Sequence, residues 1–158
     1  MRGIHNFARE MVPDPKYGSV TITKMVNYVM HNGKKTVARK ITYGALENAA
    51  AKLELEPLDV LEGALKNISP IMEVRGRRVG GANLQVPMEV TRTRRQMLAF
   101  RWLLGAARNA KGRPMEQKLA SELVSAYNNE GSAVRKKEDT HKQAEANRAF
   151  AHFARSSK

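Results

Sequence analysis

At 158 residues with 42% hydrophobic side chains the chain can bury one core, and its 28 Lys and Arg against 15 Asp and Glu leave a net charge of +13 at pH 7. So large a basic excess selects a polyanionic partner, because self-repulsion opposes compaction until counter-charge screens it. The lack of cysteine excludes disulfide frameworks, cysteine zinc sites and thiol catalysis. No window approaches the ~18 apolar residues of a membrane span, so a cytoplasmic protein with no membrane partner is expected.

Along the chain, residues 1–18 read as an extended N-terminal arm, punctuated by Pro13, Pro15 and Gly18. Tyr17 is its exposed aromatic candidate. Helix one follows Ser19, with Ile22, Met25, Val26, Val29 and Met30 at helical spacing, and stops at Asn32-Gly33. Helix two runs from about Lys34 to Leu53, with Val37, Ile41, Ala45 and Ala49 as its apolar side. Lys34, Lys35, Arg39 and Lys40 crowd its start, where the helix dipole disfavours cations, so a function other than helix stability is expected for them. Pro57 opens helix three, whose Leu58, Leu61, Leu65 and Ile68 read as core. Charge alternates in blocks: residues 15–46 hold six bases and no acid, whereas Glu47 to Glu73 hold six acids and two lysines. A single charge run is most simply a solvated face; several basic runs around one acidic block describe a two-faced body.

After Pro70 the period changes. Met72 and Val74, then Leu84, Val86, Met88 and Val90, alternate across Val79-Gly80-Gly81-Ala82, which predicts a β-hairpin over 71–90 projecting from the body. Pro87 gives its second strand a free edge. Arg75 to Arg101 contains seven arginines (75, 77, 78, 92, 94, 95 and 101) against Glu89 alone. The planar guanidinium fork suits phosphate contacts and base stacking better than a point-like ammonium. Thr91 or Thr93 caps helix four, which turns Leu98, Trp102, Leu103 and Ala106 inward and Arg94, Arg95, Arg101 and Arg108 largely outward. Trp102 is core before it is a stacking platform. Helix five carries Met115, Leu119, Leu123 and Tyr127 on one side. Ser132 caps a final helix through Phe153, basic at Arg135, Lys136 and Lys137, and residues 155–158 form a flexible tail. The expected fold is mainly α, one domain of about six helices over 19–154 with the hairpin between the third and fourth.

No catalytic or metal constellation emerges. His141 and His152 lie three turns apart on one predicted helix, and Glu138 and Asp139 do not share a face with His141. GRRVGGAN (76–83) has the glycine spacing of a phosphate loop but Ala82 in place of its lysine, and a strand follows. No cofactor is expected. A DNA-bending protein with a β-ribbon arm is the competing reading, weakened because Val79 is the single large apolar residue at the hairpin tip.

PDPKYGS (13–19), GKK (33–35), RRVGGANLQVP (77–87), FRWLL (100–104), AAR (106–108) and GSAVRKKEDTHKQAEANRAFAHF (131–153), in this order, resemble bacterial-type small-subunit ribosomal protein seven. The resemblance implies a non-catalytic primary RNA-binding protein that binds the 3′ major domain of 16S rRNA. It implies that the protein nucleates assembly of the subunit head and lies near exit-site tRNA and mRNA and neighbouring head and platform proteins. Carried over, it implies rRNA contacts at Lys34, Lys35, Arg75, Arg77, Arg78, Arg92, Arg94 and Arg95. It places Gly80, Gly81, Arg135, Lys136 and Lys137 towards tRNA and mRNA. Family members commonly begin with a strongly basic arm; here Met1 to Val12 offers only Arg2 and Arg9, partly offset by Glu10.

Overall fold

The computed structural model describes residues 11–154. Its helices are α1 (Val20–Val29), α2 (Lys35–Leu53), α3 (Pro57–Ile68), α4 (Arg92–Asn109), α5 (Met115–Tyr127) and α6 (Gly131–Ala146), with a closing 3-10 helix, Arg148–Ala154. Strands β1 (Met72–Val79) and β2 (Ala82–Glu89) form an antiparallel ribbon between α3 and α4. This is the mainly helical single domain with one hairpin that periodicity predicts. The arm up to Glu10 and the tail beyond Ala154 lie outside the described residues.

The body is organised around α5, which packs on α2, α3, α4 and α6. Its Leu119, Leu123 and Ala126 are fully buried, alongside Ile22, Met25, Leu46, Leu61, Ile68, Phe100 and Leu103 from the surrounding helices. At roughly 1.5–3 kcal/mol for each large apolar side chain, this cluster is the main source of stability. Close packing on α5 depends on Gly63: a Cβ there would sit 2.5 Å from the Tyr127 ring, so any side chain would push α3 away. Trp102 is half-buried against the same core, as expected.

Four local expectations need correction. Val37 is 52% exposed; α2 buries Ala45 and Ala49 as expected, together with Ala38, Thr42 and Leu46. Residues spaced by four advance about 40° per step on a 3.6-residue helix, so the line that is buried at Ala45 and Ala49 starts off the buried face at Val37. The final α-helix ends at Ala146 rather than continuing to Phe153. There the Asn147 side-chain amide donates to the Gln143 carbonyl at 2.8 Å, competing with the helical ladder. The chain tightens into the 3-10 helix, which packs on β2. Nor does Ser132 cap α6: the helix starts at Gly131, and the Glu122 carboxylate of α5 accepts from the Ala133 amide at 2.9 Å. Finally, Pro13–Ser19 is a docked turn. Buried Asp14 accepts from the Tyr43 hydroxyl at 2.7 Å and from the Lys16 and Tyr17 amides, while its carbonyl accepts from the Gly18 amide at 2.7 Å. Tyr17 rests edge-on against Tyr43 with centroids 5.6 Å apart, so it is a packed ring rather than an open platform.

Candidate nucleic-acid interface

The ribbon begins inside the body and ends outside it. Val86, Pro87 and Val90 are buried at its base, whereas Gly80, Gly81, Ala82 and Asn83 at its tip are exposed. Val79 pairs with Ala82, so Gly80 and Gly81 are the two loop residues, with φ of 56° and 89°. Positive φ at both positions makes the primed turn that fits ribbon twist. A Cβ on either would meet nothing within 4 Å, so conformation rather than crowding requires glycine.

Alternation along β1 puts Glu73, Arg75 and Arg77 on one face. Glu73, which the sequence groups with the acidic block, is turned inward, its side chain 8% exposed. Its Oε1 accepts from Arg75 Nε at 2.7 Å, and its Oε2 accepts from Arg94 Nε, in the first turn of α4, at 3.2 Å. Burial of a carboxylate is tolerable only with such partners. Arg94 is therefore half-buried, and Arg95 is half-buried as well, unlike Arg101 and Arg108, which are exposed as expected. Arg77 donates to the Phe153 carbonyl at 2.6 Å, tying β1 to the 3-10 helix. Arg78, paired with Asn83 near the tip, is exposed.

Beside the ribbon base lies an open cleft of about 980 Å³ between α1, α3, α4 and α6. Lys24, Lys66, Arg92, Arg95 and Lys137 line it, opposed by Glu62 alone, and His141 closes one side. Five permanent cations against one carboxylate make it a positive concavity, where low-dielectric walls strengthen the field felt by an anion. Arg95 donates to the Val90 carbonyl at 3.4 Å, and its Nε is buried with no hydrogen-bond partner among the described residues. Lys24 is steadied by Gln96 at 2.9 Å, and Lys137 donates to the Asn67 carbonyl at 2.6 Å. His141 Nε2 accepts from the Ile71 amide at 3.0 Å, which fixes the neutral ring with its proton on Nδ1. Burial, and secondarily the Lys137 charge, hold its pKa below the usual 6.5.

The other predicted residues divide. Lys34 and Lys35 are exposed at the start of α2, and Lys35 shares a second hollow with Arg39, whose Nε is also buried without a partner among the described residues. Arg135 and Lys136 are exposed on α6. Lys137 joins Arg92 and Arg95 in the cleft, so two groups with different expected roles share one surface. Sequence reasoning missed Glu73, Lys24, Lys66 and His141. Lys66 was masked by its acidic neighbours; Lys24 stands alone in α1, and only the fold shows what it faces. Among the described residues no group of three or more His, Cys, Asp and Glu side chains is placed to hold a metal ion, and no helix is long and apolar enough to cross a membrane.

Comparison with known proteins identifies the lineage. The family model described as Ribosomal protein S7p/S5e matches residues 1–148. The chain is 56% identical over 145 residues to the small ribosomal subunit protein uS7 of Thermotoga neapolitana, covering 92% of this chain and 94% of that one. It is 57% identical over 145 residues to the protein of the same name from Nitrobacter hamburgensis, covering 92% and 93%. The protein from Thermosipho melanesiensis is 55% identical over a stretch of the same length. A basic cleft, an arginine-rich ribbon and matches of this extent lead to one conclusion: the chain belongs to the ribosomal protein S7p/S5e family and is a ribosomal protein of the small subunit.

Proposed function

We propose that the chain is a primary RNA-binding scaffold of the small-subunit head, which binds the 3′ major domain of 16S rRNA and fixes the relative orientation of its helices. The observation that carries this reading is the cleft, where four helices distant in sequence converge five cations on one concave surface. Arg92, Arg94 and Arg95 with Arg75, Arg77 and Arg78 are the proposed rRNA contacts, and Lys34 and Lys35 supply a separate one. Affinity comes from phosphate neutralisation, selectivity from the shape of a folded RNA junction. The Gly80-Gly81 tip and Arg135 to Lys137 are proposed to approach exit-site tRNA and mRNA, with head and platform proteins as neighbours in the cytoplasmic ribosome. The role is non-catalytic. With Val79 as its single large apolar residue beside two exposed glycines, the tip is a poor match to the apolar wedge with which DNA-bending arms unstack bases.

The test is binding of the whole protein to a folded fragment of the 3′ major domain, beside duplex DNA of equal length, across a salt series. About 6–10 phosphate contacts would cost either polymer ~10³–10⁵ in affinity between roughly 50 and 200 mM salt, so the ratio between the two decides. A preference for the RNA that survives high salt supports the proposal. Equal affinities that collapse together refute it.

A further inference from the structure

Arginines close together on a flexible ribbon would repel one another and sample many rotamers, a poor start for recognising one RNA shape. At the ribbon base that does not occur, because one buried carboxylate holds two guanidinium groups from different elements. Glu73 Oε1 accepts from Arg75 on β1 and Oε2 from Arg94 on α4, with the carboxylate itself 8% exposed. Arg75 is held through both Nε and Nη2 and Arg94 through Nε, yet the two side chains remain 54% and 32% exposed, so each is aimed by the carboxylate and still offers the rest of its guanidinium to a ligand. The same carboxylate joins the ribbon to the first turn of α4, and so sets the angle between the two arginine-bearing elements.

We infer that Glu73 is a positioning residue for RNA selectivity: it touches no phosphate itself but presents Arg75 and Arg94 at a fixed spacing before RNA arrives. This rests on the RNA-binding reading above. The physical argument is preorganisation, since rotamer-rich side chains ordered in the free protein do not lose that freedom on binding. An acid in a basic interface lowers attraction for any polyanion, so its presence between two of these arginines is otherwise unfavourable. Positioning and plain electrostatics therefore predict opposite signs for its neutralisation.

The experiment compares the unmodified chain with Glu73→Gln for binding to the folded 3′ major domain fragment and to an unrelated RNA duplex of equal length, at one salt concentration. Positioning predicts that Glu73→Gln loses roughly tenfold on the fragment, the scale set by freeing two side chains, while affinity for the duplex holds or rises. A variant that gains on both RNAs overturns the role of Glu73 and leaves the functional reading intact. Equal affinity of the unmodified chain for the two RNAs overturns that reading and this inference with it. Glu73→Asp provides a second variant that retains the buried charge but draws the carboxylate back from its partners. It is expected to lose fragment affinity with duplex affinity unchanged, and wild-type fragment affinity in a folded Glu73→Asp protein would equally overturn the inference.

Discussion

The two ends of the ribbon use the same residue type in opposite ways. At the base, Arg75 and Arg94 are held by a buried carboxylate, and Val86 and Val90 anchor the strands in the body. At the tip, Arg78 is exposed on a strand closed by two glycines, with no hydrogen-bonded or ionic partner among the described residues. The base is a surface prepared in advance, and the tip is charge free to adapt. On the proposed function, this difference predicts that selectivity for one RNA shape resides at the buried base and that the exposed tip contributes charge with little selectivity.

The largest effect that would sharpen this contrast is on RNA binding. Removing both Arg92 and Arg95 is expected to lower the slope of log affinity against log salt by about 2 and to erase the preference for the 3′ major domain fragment. Replacing Arg77 and Arg78 with alanine should weaken binding and flatten the slope while retaining that preference. Salt titrations of both double variants check this, and loss of preference only in the Arg77 and Arg78 pair would move selectivity from the cleft to the ribbon. Stability should divide in the same way. Val86→Ala, at a fully buried position, is expected to cost about 2 kcal/mol in denaturant unfolding, and Val79→Ala near the tip less than about 0.5 kcal/mol. Gly80→Ala puts a side chain at φ 56° without a clash, a local cost of about 1–2 kcal/mol. Hydrogen exchange should quicken at the amides of Val79 and Ala82, which bond to each other across the turn, and remain unchanged at those of Glu73 and Met88 near the base.

The smallest expected effect is a pH dependence at the junction of α6 and β1. His141 is neutral where its Nε2 accepts from Ile71, and its pKa in the folded protein lies below the ordinary 6.5. The folded state thus binds this proton less readily than the unfolded state. Its contribution to stability is complete above the ordinary value and is lost as pH falls through the folded one. Thermal unfolding between about pH 7.5 and 5 should show a decline that His141→Gln, which keeps an acceptor without a titrating ring, reduces. An identical decline in the variant would exclude His141 as its source.

Much of this molecule is legible before folding, and the exceptions have physical reasons. The stripe Ile22-Met25-Val26-Val29 and the period-two run around Gly80-Gly81 announce α1 and the ribbon, because burial imposes a repeat that a linear reading detects. The buried face of α2 is read correctly at Ala45 and Ala49 and misread at Val37, since a line of residues spaced by four drifts around the helix. The end of α6 is misread because the apolar pattern runs on to Phe153, while the Asn147 side chain bonds the Gln143 carbonyl where the α-helix gives way to the 3-10 helix. Cations contiguous in sequence, such as Arg92 and Arg95, are found easily. The cleft itself is not, since Lys24, Lys66 and Lys137 come from three helices whose proximity only packing creates. Glu73 is the hardest case: its sign places it with the acidic block, while its burial makes it part of the basic surface.

The most direct test of the account is lysine acetylation of the protein, free and bound to the folded 3′ major domain fragment, read residue by residue by mass spectrometry. The cleft predicts strong protection of Lys24 and Lys66 on RNA binding and none of Lys52, which is exposed in the last turn of α2. Uniform protection of all three, or protection of Lys52 with Lys24 and Lys66 still reactive, would contradict the claim that this cleft is the RNA-binding surface.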